Sequence, residues 1–304
     1  MTLKHVRAAC VAAALLVGCT RPSTHSAGPV AAGNASRGTL QIVGGGPQPP
    51  ELVRHFVELA GGPGRAKIVV FAMASADGEA SGEEKAADFR TLGASARSLW
   101  LTRQQADGDS VVAIVDSATG IWFGGGDQVL LTRALRGSRI EEAIRRRYAS
   151  GAVVGGTSAG AAVMSAVMIT GDERRPGGAR RDTSLAFVTI EAGDVVTDTG
   201  FALIGNAIVD QHFVRRRRHN RLISLVIERE PHLGVGIDES TALLVHPDGR
   251  WTVEGASVAV IYDARRAAVR RDTTLGASDI RMHVLPAGST FDPRTGVASL
   301  PRLH

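Results

Sequence analysis

Ala152-Val153-Val154-Gly155-Gly156-Thr157-Ser158-Ala159-Gly160 joins a short apolar run to a helix-compatible stretch at residues 161–167. From Gly156 to Gly160 the spacing is G-x-S-x-G, which between a strand and a helix reads as a nucleophile elbow. A serine on so sharp a turn is pushed out of the sheet with its hydroxyl exposed, and small residues at Gly156 and Gly160 let backbone pack close beneath it. The helix N-terminus that follows favours negative charge developing beside that hydroxyl.

Outward from the elbow, the chain repeats the strand, turn and helix pattern. Residues 40–43 read as a strand, Gly44 to Gly46 as a glycine turn, and residues 51–60 as an amphipathic helix. Residues 67–72, 98–101 and 120–123 read as strands, and residues 82–92, 111–117, 128–135 and 140–148 as helices. Such alternation specifies a mostly parallel sheet covered on both faces. Downstream, residues 207–209, 233–237 and 242–245 read as strands and 220–229 as a helix, with a mainly β tail from Trp251. No internal repeat or second domain boundary interrupts the pattern.

The 304 residues are 44% hydrophobic, which is enough for one sizeable core. Only 4% are aromatic, so stacking platforms for nucleic acid are excluded as a main activity. Lys4, His5 and Arg7 precede the apolar residues 8–17, which reads as a secretory leader too short to span a bilayer. Leu16-Val17-Gly18-Cys19 resembles a bacterial lipobox, with Cys19 lipidated as the first mature residue. An ordinary signal peptide or an uncleaved anchor is the alternative. Cleavage removes Lys4 and Arg7, taking the net charge from +5 to +3, and removes Cys10. The exported part would then fold without a disulfide, a thiol nucleophile or a cysteine metal site. We therefore expect a leader at residues 1–18, a Ser/Gly/Ala/Pro-rich tether at 19–38 and one domain at 39–304, held at the cell envelope by lipid.

A serine needs a base, and the base needs an acceptor that fixes its tautomer. His212 follows an apolar strand in Asp210-Gln211-His212-Phe213, and Glu239 follows another in Gly236-Ile237-Asp238-Glu239-Ser240, so both are expected at the sheet rim that carries Ser158. A structural role for His212 and the neighbouring Asp238 as the acid stay open as alternatives. The amide of Ala159 and the turn Gly124-Gly125-Gly126 are candidate oxyanion donors.

The order Ser158, His212, Glu239 differs from the Ser, acid, His order of α/β-hydrolases. It resembles the cyanophycinase family of serine peptidases, relatives of the aspartyl dipeptidases, through residues 123–128, 155–165, Asp210 to Phe213 with Arg216, Arg218 and Arg221, and residues 236–242. The resemblance implies an α/β three-layer sandwich like class I glutamine amidotransferases, with a β-rich C-terminal tail. It implies Ser158 as nucleophile, His212 as base, Glu239 as orienting acid, and Gly126 and Ala159 as oxyanion donors. It further implies a substrate pocket of Gln128, Asp210, Gln211, Arg216, Arg218 and Arg221, no metal or cofactor, and a possible homodimer. The implied substrate is cyanophycin, a poly-aspartate with arginine on each side-chain carboxyl, cut to β-Asp-Arg dipeptides. Short Asp-containing peptides are the second reading, and a catalytically silent binding lipoprotein the third. Arginine forks suit the free carboxylates of such a substrate, and Asp210 or another acid its guanidinium groups. At Gly44-Gly45-Gly46-Pro47-Gln48 the chain departs from the acid and lysine common in the family, so its pocket is expected to differ there.

Overall fold

The computed structural model describes residues 38–174, 180–181 and 187–302. The expected leader, Cys19 and nearly all of the expected tether lie outside the described residues. Within residues 35–304, which form one compact unit, the first half alternates strand and helix. Its elements are β1 (Leu40–Val43), α1 (Pro50–Leu59), β2 (Lys67–Phe71), α2 (Gly78–Thr91), β3 (Ser95–Leu99), α3 (Asp109–Asp116), β4 (Gly120–Phe123), α4 (Gln128–Leu135), α5 (Arg139–Ala149), β5 (Val153–Thr157) and α6 (Ala159–Ala162). Then come β6 (Val167–Arg174), β7 (Arg180–Arg181), β8 (Val195–Thr199), β9 (Ile208–Gln211), α7 (His219–Glu228), β10 (Leu233–Ile237) and β11 (Thr241–Val245). The tail is wholly β: β12 (Trp251–Gly255), β13 (Val258–Asp263), β14 (Ala268–Arg271), β15 (Leu275–Ser278), β16 (Arg281–Pro286), β17 (Thr290–Asp292) and β18 (Val297–Ser299).

Nine strands form the central sheet in the order β18-β17-β12-β11-β1-β5-β4-β2-β3. From β1 to β3 every pairing is parallel, while β11 and the tail strands extend the sheet antiparallel. Alternate side chains of the parallel strands feed two cores, as a sheet covered on both faces requires. Ile68, Val70 and Trp122 pack with Phe56 and Phe89 of α1 and α2, whereas Val69, Phe71, Ile121 and Phe123 pack with Val115, Leu131 and Ile144 of α3, α4 and α5.

A second sheet, β16-β13-β10-β9, completes the second core with Val209, Val235 and Ile261 and carries α7 on its outer face through Leu222, Leu225 and Val226. Here the structure corrects the expectation of a single rim. His212 and Glu239 leave β9 and β10 of this small sheet, not the sheet that carries Ser158. Pairing between distant strands has no local signature, so periodicity alone could not separate the two sheets. The helix after the elbow is also only four residues long, because the chain turns at Val163 to enter β6 rather than continuing to residue 167.

Candidate active site

Thr157 at the end of β5 lies beside Val43 of β1, and Gly156 lies beside Phe123 of β4. The two glycine turns that follow β1 and β4 therefore flank Ser158. The serine backbone is held at φ 54° and ψ −111°, and its N–H donates to the Val43 carbonyl at 3.1 Å. A positive φ is unusual for a residue with a Cβ, and such strain persists only when the surroundings enforce it. They do so by close packing. A Cβ on Gly156 would stand 2.7 Å from the Gly160 carbonyl oxygen, and one on Gly160 only 2.1 Å from that of Phe123.

His212 also has positive φ, 48°, and its N–H donates to the Gly44 carbonyl at 2.6 Å, which ties the end of β9 to the end of β1. Its ring Nε2 is 2.9 Å from Ser158 Oγ, and its Nδ1 is 2.7 Å from Glu239 Oε1. A carboxylate only accepts, so Nδ1 carries the proton and Nε2 is left to accept from the serine hydroxyl. Burial pushes the His212 imidazole below its ordinary value, the Glu239 hydrogen bond opposes this, and the Arg216 and Arg218 charges reinforce it. The ring is thus neutral at neutral pH, the state a general base needs.

Asp238, the competing acid, is committed elsewhere. Its carboxylate accepts from the Arg215 N–H at 2.9 Å and from Ser257 Oγ at 2.8 Å. Other histidines also have separate partners: His55 pairs with Glu254, His219 with Tyr262, His232 with the Val226 carbonyl, and His246 with Thr252.

In sequence Gly44 to Gly46 reads only as a strand turn, and the fold gives it a further role. A Cβ on Gly45 would stand 2.3 Å from His212 Cε1, and one on Gly46 would stand 2.9 Å from Glu239 Cβ. Both glycines have positive φ, and the turn is the seat on which the imidazole and carboxylate rest. The available signal was its likeness to Gly124 to Gly126, a second triple glycine directly after a strand.

Beside Ser158 a cavity of about 260 Å³ is lined by Gly126, Gln128, Gln211, Arg216 and Arg218. Gly126 has φ 130°, and a Cβ there would lie 2.0 Å from the Ala74 carbonyl oxygen, so only glycine fits. The Ala159 N–H opens α6, where the first amides of a helix have no partner within it. Gln128 Nε2 donates to the Ile169 carbonyl at 2.6 Å.

Asp210 and Arg221 do not line this cavity. They form a buried, two-pronged ion pair with side chains 0% and 1% exposed, in which Arg221 Nε donates to Oδ2 at 2.7 Å and Nη2 to Oδ1. The Gln211 N–H also donates to Asp210 Oδ1, at 2.7 Å. Asp210 is therefore occupied from within, and the expected meeting of its carboxylate with a substrate guanidinium gives way to a structural pair. In front of it Arg218, 5% exposed, donates to the Gln211 carbonyl at 2.7 Å and to the Gln211 side-chain oxygen. Burial, then the Arg221 charge, pushes Arg218 down to about 9, so it stays a cation at neutral pH but an under-solvated one. Among the described residues no His, Cys, Asp and Glu cluster suits a metal ion, and no helix is long and apolar enough to cross a membrane.

Residues 41–252 match the profile of peptidase family S51. A cyanophycinase of Nostoc sp. is 32% identical over 250 residues, 79% of this chain and 80% of its own. One from Synechococcus elongatus is 32% identical over 254 residues, covering 81% and 75%. A peptidase from an acI-B1 actinobacterium, known from its crystal structure, shares the fold with a TM-score of 0.59 at 23% identity, over 85% of this chain and 98% of that one. The α/β architecture with its mostly parallel central sheet and β-rich tail is as the sequence led us to expect, and the molecule is a serine-type peptidase. The chain belongs to peptidase family S51, which places it with the cyanophycinases.

Proposed function

We propose that the protein hydrolyses cyanophycin to β-Asp-Arg dipeptides through an acyl-enzyme on Ser158. The observation that carries this reading is the series Ser158 Oγ, His212 Nε2, His212 Nδ1, Glu239 Oε1, with separations of 2.9 and 2.7 Å. His212 takes the hydroxyl proton as Ser158 attacks the scissile carbonyl, and returns it to the leaving amine. Glu239 holds the ring in the required tautomer and stabilises the imidazolium. The N–H groups of Gly126 and Ala159 meet the oxyanion, and water then releases the acyl group through the same base.

Arg216 and Arg218, beside Gln128 and Gln211, present cations to the acyl side of the site. A substrate rich in free carboxylates relieves the desolvation of Arg218, which favours the arginylated poly-aspartate over neutral peptides. Lipid attachment at Cys19 belongs to the same reading, supported by Leu16-Val17-Gly18-Cys19, and places hydrolysis at the cell envelope. Cys19→Ser should release the protein from membranes.

The test is incubation of the full chain and its Ser158→Ala variant with cyanophycin, β-Asp-Arg oligomers and α-Asp dipeptides, with products read by mass spectrometry. Ser158-dependent release of β-Asp-Arg is expected. Cleavage of α-Asp dipeptides alone would replace cyanophycin with short aspartyl peptides as the substrate.

A further inference from the structure

A second cavity, of about 400 Å³, borders the elbow at Thr157 and the glycine turn at Gly124 and Gly125. Gly124, Gly125 and Thr157 line it, whereas the next residues along each turn, Gly126 and Ser158, line the first cavity. Successive residues of the same two turns thus line the two spaces. Because the nucleophile and the Gly126 oxyanion donor both face the first cavity, an acyl group bound there leaves the second for the departing amine and what it carries.

One face of α2 forms the far wall. Ser81, Glu84, Lys85 and Asp88 all line the cavity, at the i, i+3, i+4 and i+7 spacing that puts residues on one side of a helix. Lys85 is the inner charge, its side chain only 13% exposed. Its Nζ donates to Gln48 Oε1 at 2.7 Å, lies 3.5 Å from Asp88 Oδ2, and stands 4.9 and 5.2 Å from the ring centres of Phe89 and Trp122. Val53, Val70 and Ala72 supply apolar wall around it. Burial lowers the Lys85 ammonium from its ordinary value, a cost that an incoming anion offsets. The Trp122 indole N–H and the Thr157 hydroxyl, both on residues of this wall, are buried without a hydrogen-bond partner. Unpaired buried donors are costly and mark a place where acceptors are received. Glu84 and Asp88 are exposed and form an acidic rim outside the lysine.

We propose that this cavity is the leaving-group subsite and that Lys85 sets its specificity by binding a carboxylate of the departing segment. The acidic rim of Glu84 and Asp88 receives a cation on the same residue, so the occupant is an arginine with a free α-carboxylate. This rests on the reading of the chain as a peptidase acting on arginylated poly-aspartate, and extends it to the side of the scissile bond that the Arg216 and Arg218 pocket does not reach.

The experiment uses the dimer of the β-Asp-Arg unit, and the same dimer with the arginine of its second unit as an amide. For the wild-type chain, amidation should lower kcat/KM about tenfold, mainly through KM, as loss of a charge-assisted contact does. Lys85→Gln should bring the acid substrate down to the amide's level while leaving the amide unchanged, and Lys85→Arg should keep the preference. Equal turnover of the two substrates by the wild-type chain, or a Lys85→Gln loss shared equally by both, would overturn the subsite. Absence of Ser158-dependent turnover of both dimers would instead refute arginylated poly-aspartate as the substrate. Calorimetric titration of the same pair into the Ser158→Ala chain then judges the subsite alone: tighter binding of the acid, erased by adding Lys85→Gln, supports it, and equal affinities overturn it.

Discussion

Replacing Gly45 with alanine should disarm Ser158 without replacing any member of the proposed triad. The added Cβ would stand 2.3 Å from His212 Cε1 and 2.5 Å from Nε2, whereas ordinary contact begins near 3.4 Å, so the ring must retreat by about 1 Å. The turn itself has little freedom to yield. The Gly45 carbonyl accepts from the Ser240 N–H at 2.9 Å, and Gly44 is fixed by its N–H to the Thr241 carbonyl at 2.9 Å and its carbonyl to the His212 N–H. A retreat of that size takes the 2.9 Å contact between Ser158 and His212 beyond hydrogen-bond range. Misplacement of about 1 Å costs on the order of 10²-fold in rate. The assay need not assume a substrate: a fluorophosphonate labels an activated serine, and mass spectrometry gives the second-order labelling rate at Ser158. Positive φ at Gly45 adds strain of about 1–3 kcal/mol in the variant, so thermal melting is followed in parallel to confirm a folded protein. Labelling within twofold of the wild-type rate in a folded Gly45→Ala protein would refute the view that this turn seats the base.

Four further outcomes are expected. Glu239→Gln should slow Ser158 labelling by about 10²-fold or more by losing the tautomer lock, while Asp238→Asn, whose carboxylate faces Arg215 and Ser257, should leave labelling near normal; the reverse ranking would exchange their roles. The acid limb of the labelling rate should fall with a midpoint below 6.5, because burial depresses His212 and activity is lost as pH falls through that lowered value; a midpoint above 6.5 would contradict the buried, neutral ring. The same group makes stability decline as pH falls through 6.5, since the unfolded chain then binds the proton that the folded one resists. Asp210→Ala should cost about 3–5 kcal/mol of unfolding free energy in denaturant titration, because it strands the buried Arg221 charge; a loss under 1 kcal/mol would show that the pair is not structural.

The elbow was legible because its requirements are local: an apolar strand, two glycines where backbone must approach, and a short side chain between them. His212 and Glu239 were legible as strand-end residues, but their shared sheet was not, since the β9 and β10 pairing joins segments more than twenty residues apart. The third strand was read late, at 98–101 instead of Ser95–Leu99, because it lies half-exposed at the edge of the parallel sheet and carries polar Ser95, Arg97 and Ser98 without an apolar rhythm. Asp210 and Arg221 look like pocket residues in sequence, for nothing in their spacing distinguishes a guanidinium facing a ligand from one facing a neighbouring carboxylate. Lys85 gives no signal for the converse reason: in a helix with Glu79, Glu83, Glu84 and Asp88 it looks solvated, and only the fold turns it inward beside Trp122.

Ser158 belongs to one sheet and His212 and Glu239 to another, so in the proposed mechanism proton transfer measures how well two layers are docked. The Gly44 carbonyl, bonded to the His212 N–H at 2.6 Å, is the stitch that keeps them in step. A shift of the small sheet by about 1 Å would carry His212 out of hydrogen-bond range of Ser158 while every strand stayed paired, so the fold can persist where the chemistry has failed.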